Sequence, residues 1–305
     1  IAHDMHPDYL STRWAQQQTG VQLAAVQHHH AHLAACLADN GVRGPALGVT
    51  WDGTGYGPDG TVWGGEFLLG DAGGYRRVAH LRPFLLPGGE AAVREPRRSA
   101  LGLLWDVYGE AALQRTDQPA VAAFSPAELH TLTRLLQRRV NAPLTTSAGR
   151  LFDGVAALLG LHQTTTFEGQ AAMALEFAAD ATETGAYEIA VASGSSAQES
   201  VGPFVLDWRP LVDAVLADHA RGVPVSVIAA RVHNALVAAI VTVACAVGVE
   251  YVALSGGCFQ NRWLTERAAA QLRAAGFRPL LHRQTPPNDG CIALGQVVVA
   301  VRSLA

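Results

Sequence analysis

The stretch VQHHHAHLAACLADNG, residues 26–41, sets four histidines at the head of an apolar helix that ends at Asn40-Gly41. The apolar run VQLAAVQ just before it indicates a strand, so the region predicts a β-α unit. Helical side chains four residues apart lie about 5–6 Å from each other, so His28 and His32 can close on one metal ion. The alternative is that these histidines cap the helix and face solvent. Two ligands do not make a site, and a third must come from far along the chain.

Composition limits the classes of protein to consider. The chain has 305 residues, of which 49% are hydrophobic and 16% charged, enough to bury a large core in one domain or two lobes. The formal net charge of −4 argues against a general nucleic-acid binder. The most apolar window, residues 235–249, is short and rich in alanine, so we predict a buried helix there.

The chain contains no lysine, and all 22 basic residues are arginines. This excludes a lysine nucleophile, a Schiff base and a P-loop lysine that grips phosphate. The cysteines show no C-x-x-C pair and no zinc-ribbon spacing, which predicts reduced thiols in a cytoplasmic protein. We expect each of them to be a small buried residue: Cys36, Cys245, Cys258 and Cys291.

Organisation along the chain alternates between strand and helix patterns. A helix is predicted within residues 7–18, two or three antiparallel strands within 45–81, and a mostly helical layer from 96 to 179. A Gly- and Ser-rich link covers residues 192–200, and strands and helices alternate after it. A final helix follows PPNDG, residues 286–290. No internal repeat typical of a solenoid is visible.

Two separated glycine turns each follow a strand: TWDGTGYG, residues 50–57, and ALSGGCFQN, residues 253–261. Glycine brings backbone N–H groups close to phosphate oxygens, and a following helix N-terminus adds a favourable dipole. Tight turns also need glycine for purely conformational reasons, so either turn alone is weak support. Together, in a chain without lysine, they predict a nucleotide held by backbone amides in a cleft between two α/β lobes.

Four acidic residues each allow two interpretations. Asp289, in TPPNDGCIALGQ, is either an N-cap or a ligand, and Asp52 before Gly53 is typical of a turn. Asp153, in GRLFDGVAALLG, and Glu168, in TTFEGQAAMALE, are predicted at the starts of apolar helices. An acidic side chain there either stabilises the helix dipole or accepts hydrogen bonds from a ribose.

The combination of motifs is more specific than any one of them. In order, VQHHHAHLAA, AGRLFDGVAALLGL, FEGQAAMALE, LSGGCFQNRWL and TPPNDGCIALGQ resemble the carbamoyltransferase HypF family, and HDMHPDYLSTRWA near the start is similar too. The likeness runs from Ile1 to about Gln296 and is to the C-terminal, TsaD-like module. It implies an α/β, two-lobed actin-like ATPase fold with an added helical layer. We therefore expect one module over 1–305, with lobes near 1–145 and 146–305 and a C-terminal helix that returns to the first lobe.

The resemblance also implies roles for individual residues. His28, His32 and Asp289 fall on the metal-binding catalytic positions, and Asp52 is a fourth ligand in the related antibiotic O-carbamoyltransferases. The metal would be iron(II) or zinc. The remaining matches concern ATP or carbamoyl-adenylate, with Mg²⁺ as a companion of the nucleotide. They are two ribose contacts, Asp153 and Glu168, and three residues of the nucleotide loop, Gly256, Gly257 and Asn261.

The reaction implied by the resemblance uses ATP and carbamoyl phosphate. It passes through carbamoyl-adenylate and delivers the carbamoyl group to the C-terminal cysteine of HypE, for the cyanide ligands of NiFe hydrogenase. Expected partners are HypE and the N-terminal HypF modules, with no nucleic acid and no membrane. Because the chain starts at Ile1, in strand-like sequence, we expect it to be a piece of a longer protein whose first lobe is incomplete here.

Three other functions stay open at this stage. A small-molecule O-carbamoyltransferase of the antibiotic or nodulation type would share the fold and metal but use a sugar hydroxyl as acceptor. A tRNA threonylcarbamoyl transferase fits the acidic balance and the triple histidine poorly. A non-catalytic nucleotide-binding module would keep the fold without turnover, and it would be favoured if neither metal nor nucleotide bound.

Overall fold

Strands and helices alternate through the part of the chain that the computed structural model describes, residues 1–193 and 203–304. This confirms the α/β class. The strands are β1 Ala2–Asp4, β2 Ala24–Val26, β3 Ala46–Tyr56, β4 Val62–Asp71, β5 Gly74–Leu81, β6 Phe84–Leu85, β7 Leu144–Thr145, β8 Ala190–Ser193, β9 Phe204–Asp207, β10 Tyr251–Ser255 and β11 Arg278–Leu280. The predicted Gly/Ser-rich link lies almost wholly outside the described residues.

The helices include the predicted histidine helix, which is α2. In chain order they are α1 Leu10–Gln16, α2 His28–Asp39, α3 Ala91–Arg94, α4 Pro96–Tyr108, α5 Pro119–Ala122, α6 Pro126–Arg138, α7 Ala148–Leu158, α8 Gln170–Ala178, α9 Arg209–Ala220, α10 Val225–Val247, α11 Arg262–Ala274 and α12 Ile292–Leu304. Short 3-10 turns cover Gly109–Gln114, Gly257–Gln260 and Asp289–Cys291.

The chain divides into two units. Unit 1 comprises Ile1–His80, Ser193–Val205 and Ile240–Ala305, and unit 2 comprises Leu81–Ala192 and Leu206–Ala239. This division corrects the boundary expected near residue 145. The last part of the chain belongs to unit 1 because β10 pairs in parallel with β3 and because α12 packs on α2. Helix α12 is thus part of unit 1.

Unit 1 is built on a mixed sheet in the order β11-β10-β3-β4-β5. The predicted antiparallel strands are β3, β4 and β5, whereas β10 lies parallel to both β3 and β11. The β10–β3 register places Ser255 beside Thr50, so the glycine turn after β10 leaves the sheet next to the stretch TWDGTGYG, residues 50–57. This stretch was predicted to be a turn after a strand, but residues 50–56 form the second half of β3, with an irregularity in its pairing to β4 between Trp51 and Gly55. Parallel pairing thus joins two motifs that are about two hundred residues apart.

Helix α2 covers this sheet and is buried over most of its length. Every residue from His28 to Leu37 is buried. Leu33, Cys36 and Leu37 pack with Trp63 and Leu68 of the sheet. On its other side α2 meets α12, where Gly295 approaches the carbonyl oxygen of Ala31 so closely that a Cβ would overlap it. The head of α2 is therefore held from two sides.

Unit 2 contains the predicted helical layer. Leu101, Leu132 and Leu136 form its described core with Leu85 and Phe124. Helices α4 and α7 pack closely, since a Cβ at Gly154 would overlap the Leu103 side chain. Helix α7 begins at Ala148 because the Ser147 side chain caps it, accepting a hydrogen bond from the backbone N–H of Arg150 at 3.0 Å.

Helix α10 contains the apolar window noted in the sequence. Among the described residues it is the one helix long and apolar enough to cross a membrane, but 72% of that window is buried inside the protein, as in a core helix. All four cysteines are free, and Cys36 and Cys291 are buried as expected. Cys245 is exposed and Cys258 only half-buried, which corrects the expectation for these two: Cys245 lies on the solvent side of the last turns of α10.

Candidate metal centre

Four side chains of unit 1 converge at the head of α2. One ligand atom from each of His28, His32, Asp52 and Asp289 lies within 4.8 Å of the others. The spacing of the two histidines predicted their pairing, and the structure brings both aspartates to it. Asp52 comes from β3, and Asp289 comes from the 3-10 turn before α12.

The four histidine–aspartate distances within this cluster are close to the separations between ligands of a tetrahedrally coordinated ion. Nε2 of His28 lies 3.4 Å from both Asp52 Oδ2 and Asp289 Oδ1, and Nε2 of His32 lies 3.0 and 3.7 Å from the same two oxygens. Four ligands at about 2.0–2.2 Å from zinc are separated by about 3.3 Å along the edges of a tetrahedron. Two neutral imidazoles and two carboxylates also balance a divalent charge. The residues therefore fit the implied metal.

The cluster is exposed to solvent on one side only. His28, His32 and Asp52 are buried, whereas the Asp289 side chain is 69% exposed. A bound ion would thus be shielded by protein on the α2 and β3 sides and approachable past Asp289. A substrate can therefore approach the cluster from the Asp289 side.

His28 has a carboxylate partner that the sequence reasoning missed. Its Nδ1 lies 2.9 Å from Oδ2 of Asp4, which is buried at the end of β1. Strand β1 pairs in parallel with β2, placing Asp4 beside Val26, two residues before His28. Asp4 lies in the quoted block HDMHPDYL, so the motif contained the residue, but its role depends on the β1–β2 register. A carboxylate on the second nitrogen fixes the imidazole so that Nε2 faces the ion.

The carboxylates also control protonation of the cluster. Burial by itself would lower the pKa of His28, but hydrogen bonds to Asp289, Asp4 and Asp52 outweigh it and hold that pKa well above the usual range. Burial also lowers the pKa of His32, but hydrogen bonds to Asp289, Asp52 and Cys291 outweigh this effect and raise that pKa to about 10. The pKa of Asp289 is lowered, chiefly by its hydrogen bonds to His28 and His32. Without metal, the carboxylates therefore favour the charged form of both imidazoles.

Metal binding is expected to release about two protons per ion at pH 7, because each imidazole must lose one to become a ligand. Since both histidine pKa values are raised, affinity should increase as the pH rises from 6 toward 8. Calorimetric titration with Zn²⁺ in buffers of different ionisation enthalpy measures the proton count. Heats that do not depend on the buffer would show that the imidazoles are already neutral.

Substitution of Asp4 by asparagine is expected to weaken Zn²⁺ binding about 10–100-fold, as is typical when a ligand loses its carboxylate support. The amide keeps the shape of Asp4 but not its charge, so His28 is oriented less firmly. Competition with a chelator measures the affinity. Asp8→Asn is the matched control, because Asp8 is exposed and pairs with Arg13 nearby in the chain. Equal affinities for the two variants would contradict the role given to Asp4.

Asp52 also joins the metal cluster to the predicted nucleotide loop. While Oδ2 faces the histidines, Oδ1 accepts hydrogen bonds from the backbone N–H groups of Gly53 at 2.7 Å and Gly257 at 3.2 Å. Gly256 has a φ of +105°, and a Cβ there would overlap the carbonyl of Trp51, so only glycine fits this turn. Asn261 caps α11, accepting from the N–H of Leu264 at 2.8 Å. The Asp52 carboxylate therefore connects β3 to the glycine turn that follows β10.

The two predicted ribose contacts lie in unit 2. Asp153 is buried, with its Oδ2 3.1 Å from Nη1 of Arg150, and burial raises its pKa. It sits in the middle of α7 rather than at a helix start, because Ser147 begins that helix earlier than the sequence suggested. Glu168 is exposed in the turn before α8. Their contact with ribose stays a prediction.

Comparison with known proteins gives the same family throughout. The family model for the HypF Kae1-like domain matches residues 1–39, and the model described as carbamoyltransferase, Kae1-like domain, second subdomain, matches residues 48–296. Carbamoyltransferase HypF of Synechocystis sp. is 41% identical over 99% of this chain and 40% of its own length. HypF2 of Cupriavidus necator is 41% identical with the same coverage, and a HypF homolog of that organism is 38% identical, with 77% of its length covered.

Solved structures agree with these relatives. A full-length HypF in a phosphate- and nucleotide-bound form superposes with a TM-score of 0.91 and 37% identity, over all of this chain and 39% of its own. HypF of T. kodakarensis gives a TM-score of 0.85 and 28% identity, over 99% of this chain and 40% of its own. The chain thus spans about two fifths of the full-length proteins, and the predicted TsaD-like fold is confirmed. The sequence matches, the fold and the family models together show that this chain belongs to the HypF carbamoyltransferase family and corresponds to its C-terminal, Kae1-like module.

Proposed function

We propose that this chain transfers the carbamoyl group of carbamoyl-adenylate to the C-terminal cysteine thiolate of HypE, for the cyanide ligands of NiFe hydrogenase. The observation that carries the proposal is the His28, His32, Asp52 and Asp289 cluster, open beside Asp289 and linked through Asp52 to a glycine loop. The names of the relatives support carbamoyl transfer, and the phosphate- and nucleotide-bound relative supports a nucleotide as part of the substrate.

The proposed step is an acyl transfer from a mixed anhydride. The thiolate sulfur attacks the carbamoyl carbon, so that an S–C bond forms and the C–O bond to the adenylate phosphate breaks. AMP leaves with the electron pair of that bond, and the acceptor proton is lost before attack. The step needs no nucleophile from this chain, which agrees with a sequence without lysine.

Each part of the site has a task in this proposal. The four cluster residues would hold a divalent ion, iron(II) or zinc, which supplies Lewis-acid chemistry at an oxygen of the substrate when bound. Backbone N–H groups of the loop at Gly256 and Gly257 would bind phosphate oxygens. Asp52 fixes that loop by accepting from Gly257. Mg²⁺ would accompany the nucleotide, and Asp153 and Glu168 would accept hydrogen bonds from the ribose.

The test is an intact-mass measurement of HypE after incubation with this chain, Zn²⁺ or Fe²⁺, and synthetic carbamoyl-adenylate. Carbamoyl-adenylate is supplied because, in this proposal, the N-terminal HypF modules synthesise it. One carbamoyl addition that requires the chain and the terminal cysteine of HypE is the expected result. HypE without that cysteine and the His28→Ala chain are the controls.

The remaining outcomes separate the other functions. If adenylate binds but HypE gains no mass, while a small-molecule hydroxyl accepts the carbamoyl group, the O-carbamoyltransferase alternative replaces this proposal. If adenylate and metal both fail to bind, the chain is a non-catalytic module. The 41% identity with two curated carbamoyltransferases favours turnover over that last reading.

A further inference from the structure

A chain of hydrogen bonds leads away from the second ligand, His32. Its Nδ1 lies 3.2 Å from the hydroxyl of Ser255, and that hydroxyl lies 2.8 Å from Nε2 of His282. On the other side of the His282 ring, Nδ1 lies 2.9 Å from the hydroxyl of Thr285, which in turn donates to Asp39 Oδ2 at 3.3 Å. The series thus runs from the metal cluster to the C-terminal end of α2.

The direction of every bond in this series follows from its last member. Asp39 is a carboxylate and can only accept, so Thr285 donates to it and accepts from the Nδ1–H of His282. When its ring is neutral, His282 is then unprotonated at Nε2 and accepts from the Ser255 hydroxyl. Ser255 in turn accepts from the Nδ1–H of His32, which leaves Nε2 as the nitrogen that binds an ion once it has lost its proton. Burial lowers the pKa of His282 to about 4, which agrees with a neutral ring.

Asp39 itself is fixed by the backbone. Its carboxylate accepts hydrogen bonds from the N–H groups of Arg283 at 2.6 Å and Gln284 at 3.1 Å, and its side chain is 2% exposed. These amides belong to the segment that runs from β11 to Asp289. Asp39 therefore anchors the segment that delivers the exposed ligand and also ends the hydrogen-bond series from the buried one.

We propose that Asp39, Thr285, His282 and Ser255 are positioning residues, which hold His32 in the tautomer that binds metal through Nε2. The proposal rests on the metal centre of the proposed function and adds a determinant of its affinity. His28 and His32 are then held in place by different means. Asp4 contacts His28 directly, whereas Asp39 acts on His32 through three intermediate groups. Cys291 Sγ, 3.4 Å from Nδ1 of His32, is a second acceptor for the same proton.

Two variants test the two halves of the series, with Co²⁺ alone as the probe. Ser255→Ala removes the acceptor of the His32 proton. His282→Leu removes the acceptor of the Ser255 proton, so that the serine can turn and donate to His32 instead, which favours the wrong tautomer. We expect each variant to bind Co²⁺ about tenfold more weakly. This is the lower end of the affinity losses seen when a residue that hydrogen-bonds to a metal ligand is replaced, because Cys291 can still accept the His32 proton. The visible absorption of bound Co²⁺, which reports ligand geometry, should change as well.

Thr50→Val is the matched control. Thr50 is buried on the neighbouring strand in register with Ser255, and within residues 1–193 and 203–304 its hydroxyl makes no hydrogen bond. It should bind Co²⁺ like the unmodified chain. The melting temperature of each metal-free variant shows whether the fold is intact.

Unchanged Co²⁺ affinity and absorption in Ser255→Ala or His282→Leu would overturn the proposal. An equal loss of affinity in Thr50→Val would overturn it too, since it would assign the effect to strand packing. If the unmodified chain bound no Co²⁺, the metal centre of the proposed function would itself fail. The positioning role is supported if Co²⁺ binding is weaker only in Ser255→Ala and His282→Leu and the melting temperatures of the metal-free proteins are unchanged.

Discussion

His28→Ala is expected to reduce the affinity for Zn²⁺ by more than about 100-fold, and with it carbamoyl transfer. Loss of an outer partner typically weakens binding 10–100-fold, and loss of a ligand should exceed that. His28 lies 3.4 Å from two other ligands and 2.9 Å from Asp4. Its removal therefore also leaves Asp4 and Asp52 buried without an imidazole between them. Metal content after purification and a competitive Zn²⁺ titration measure the loss.

His30→Ala is the control for this prediction. His30 is buried on the same helix, but its Nε2 lies 2.7 Å from the carbonyl oxygen of Asp71 rather than in the cluster. The variant thus removes the same volume of imidazole from the same helix without removing a ligand. Undiminished metal in His28→Ala, or equal loss in both variants, would show that the four residues are not the metal centre.

Gly295→Ala is expected to lower the free energy of unfolding by about 1–3 kcal/mol, the range for overpacked positions. A Cβ at Gly295 would overlap the carbonyl of Ala31, which is backbone and cannot rotate away. Alanine in a helix interior is more favourable than glycine by up to about 1 kcal/mol. A decrease in the free energy of unfolding would therefore show that the packing overlap dominates, and an increase would show that helix propensity does. Urea denaturation of the metal-free protein measures the change.

The same substitution should weaken metal binding, because α12 follows Asp289 directly whereas α2 carries His28 and His32. Forcing the two helices apart separates the exposed ligand from the histidines. Gly74→Ala is the control, since a Cβ there meets nothing within 4 Å and its backbone φ is not in the left-handed region. We expect it to change stability by less than about 0.5 kcal/mol. A Gly295→Ala protein as stable as Gly74→Ala would contradict the close contact.

Much of the fold could be predicted because its signals are local. The alternation of strand and helix patterns gave the β-α unit at α2, the antiparallel strands β3 to β5 and the helical region of unit 2. The four-residue spacing of His28 and His32 is a property of one helix, and the structure keeps it. The boundary near residue 145 could not be read in this way, since it depends on which distant strand lies beside β3.

For the site, the amino-acid sequence by itself determined the two histidines, the glycines that the turns require and, by resemblance, the family. From local pattern alone, Asp289 could either cap a helix or bind a metal, and Asp52 could either form a turn or bind a metal. Only the tertiary structure decided where they lie, and it added Asp4, Ser255 and His282. The reason is geometric: these groups meet the histidines through parallel strand pairing and helix packing between segments far apart in the chain. Helical spacing is fixed by neighbours along the chain, whereas a ligand set is fixed by the register of strands and by the contact of α12 with α2.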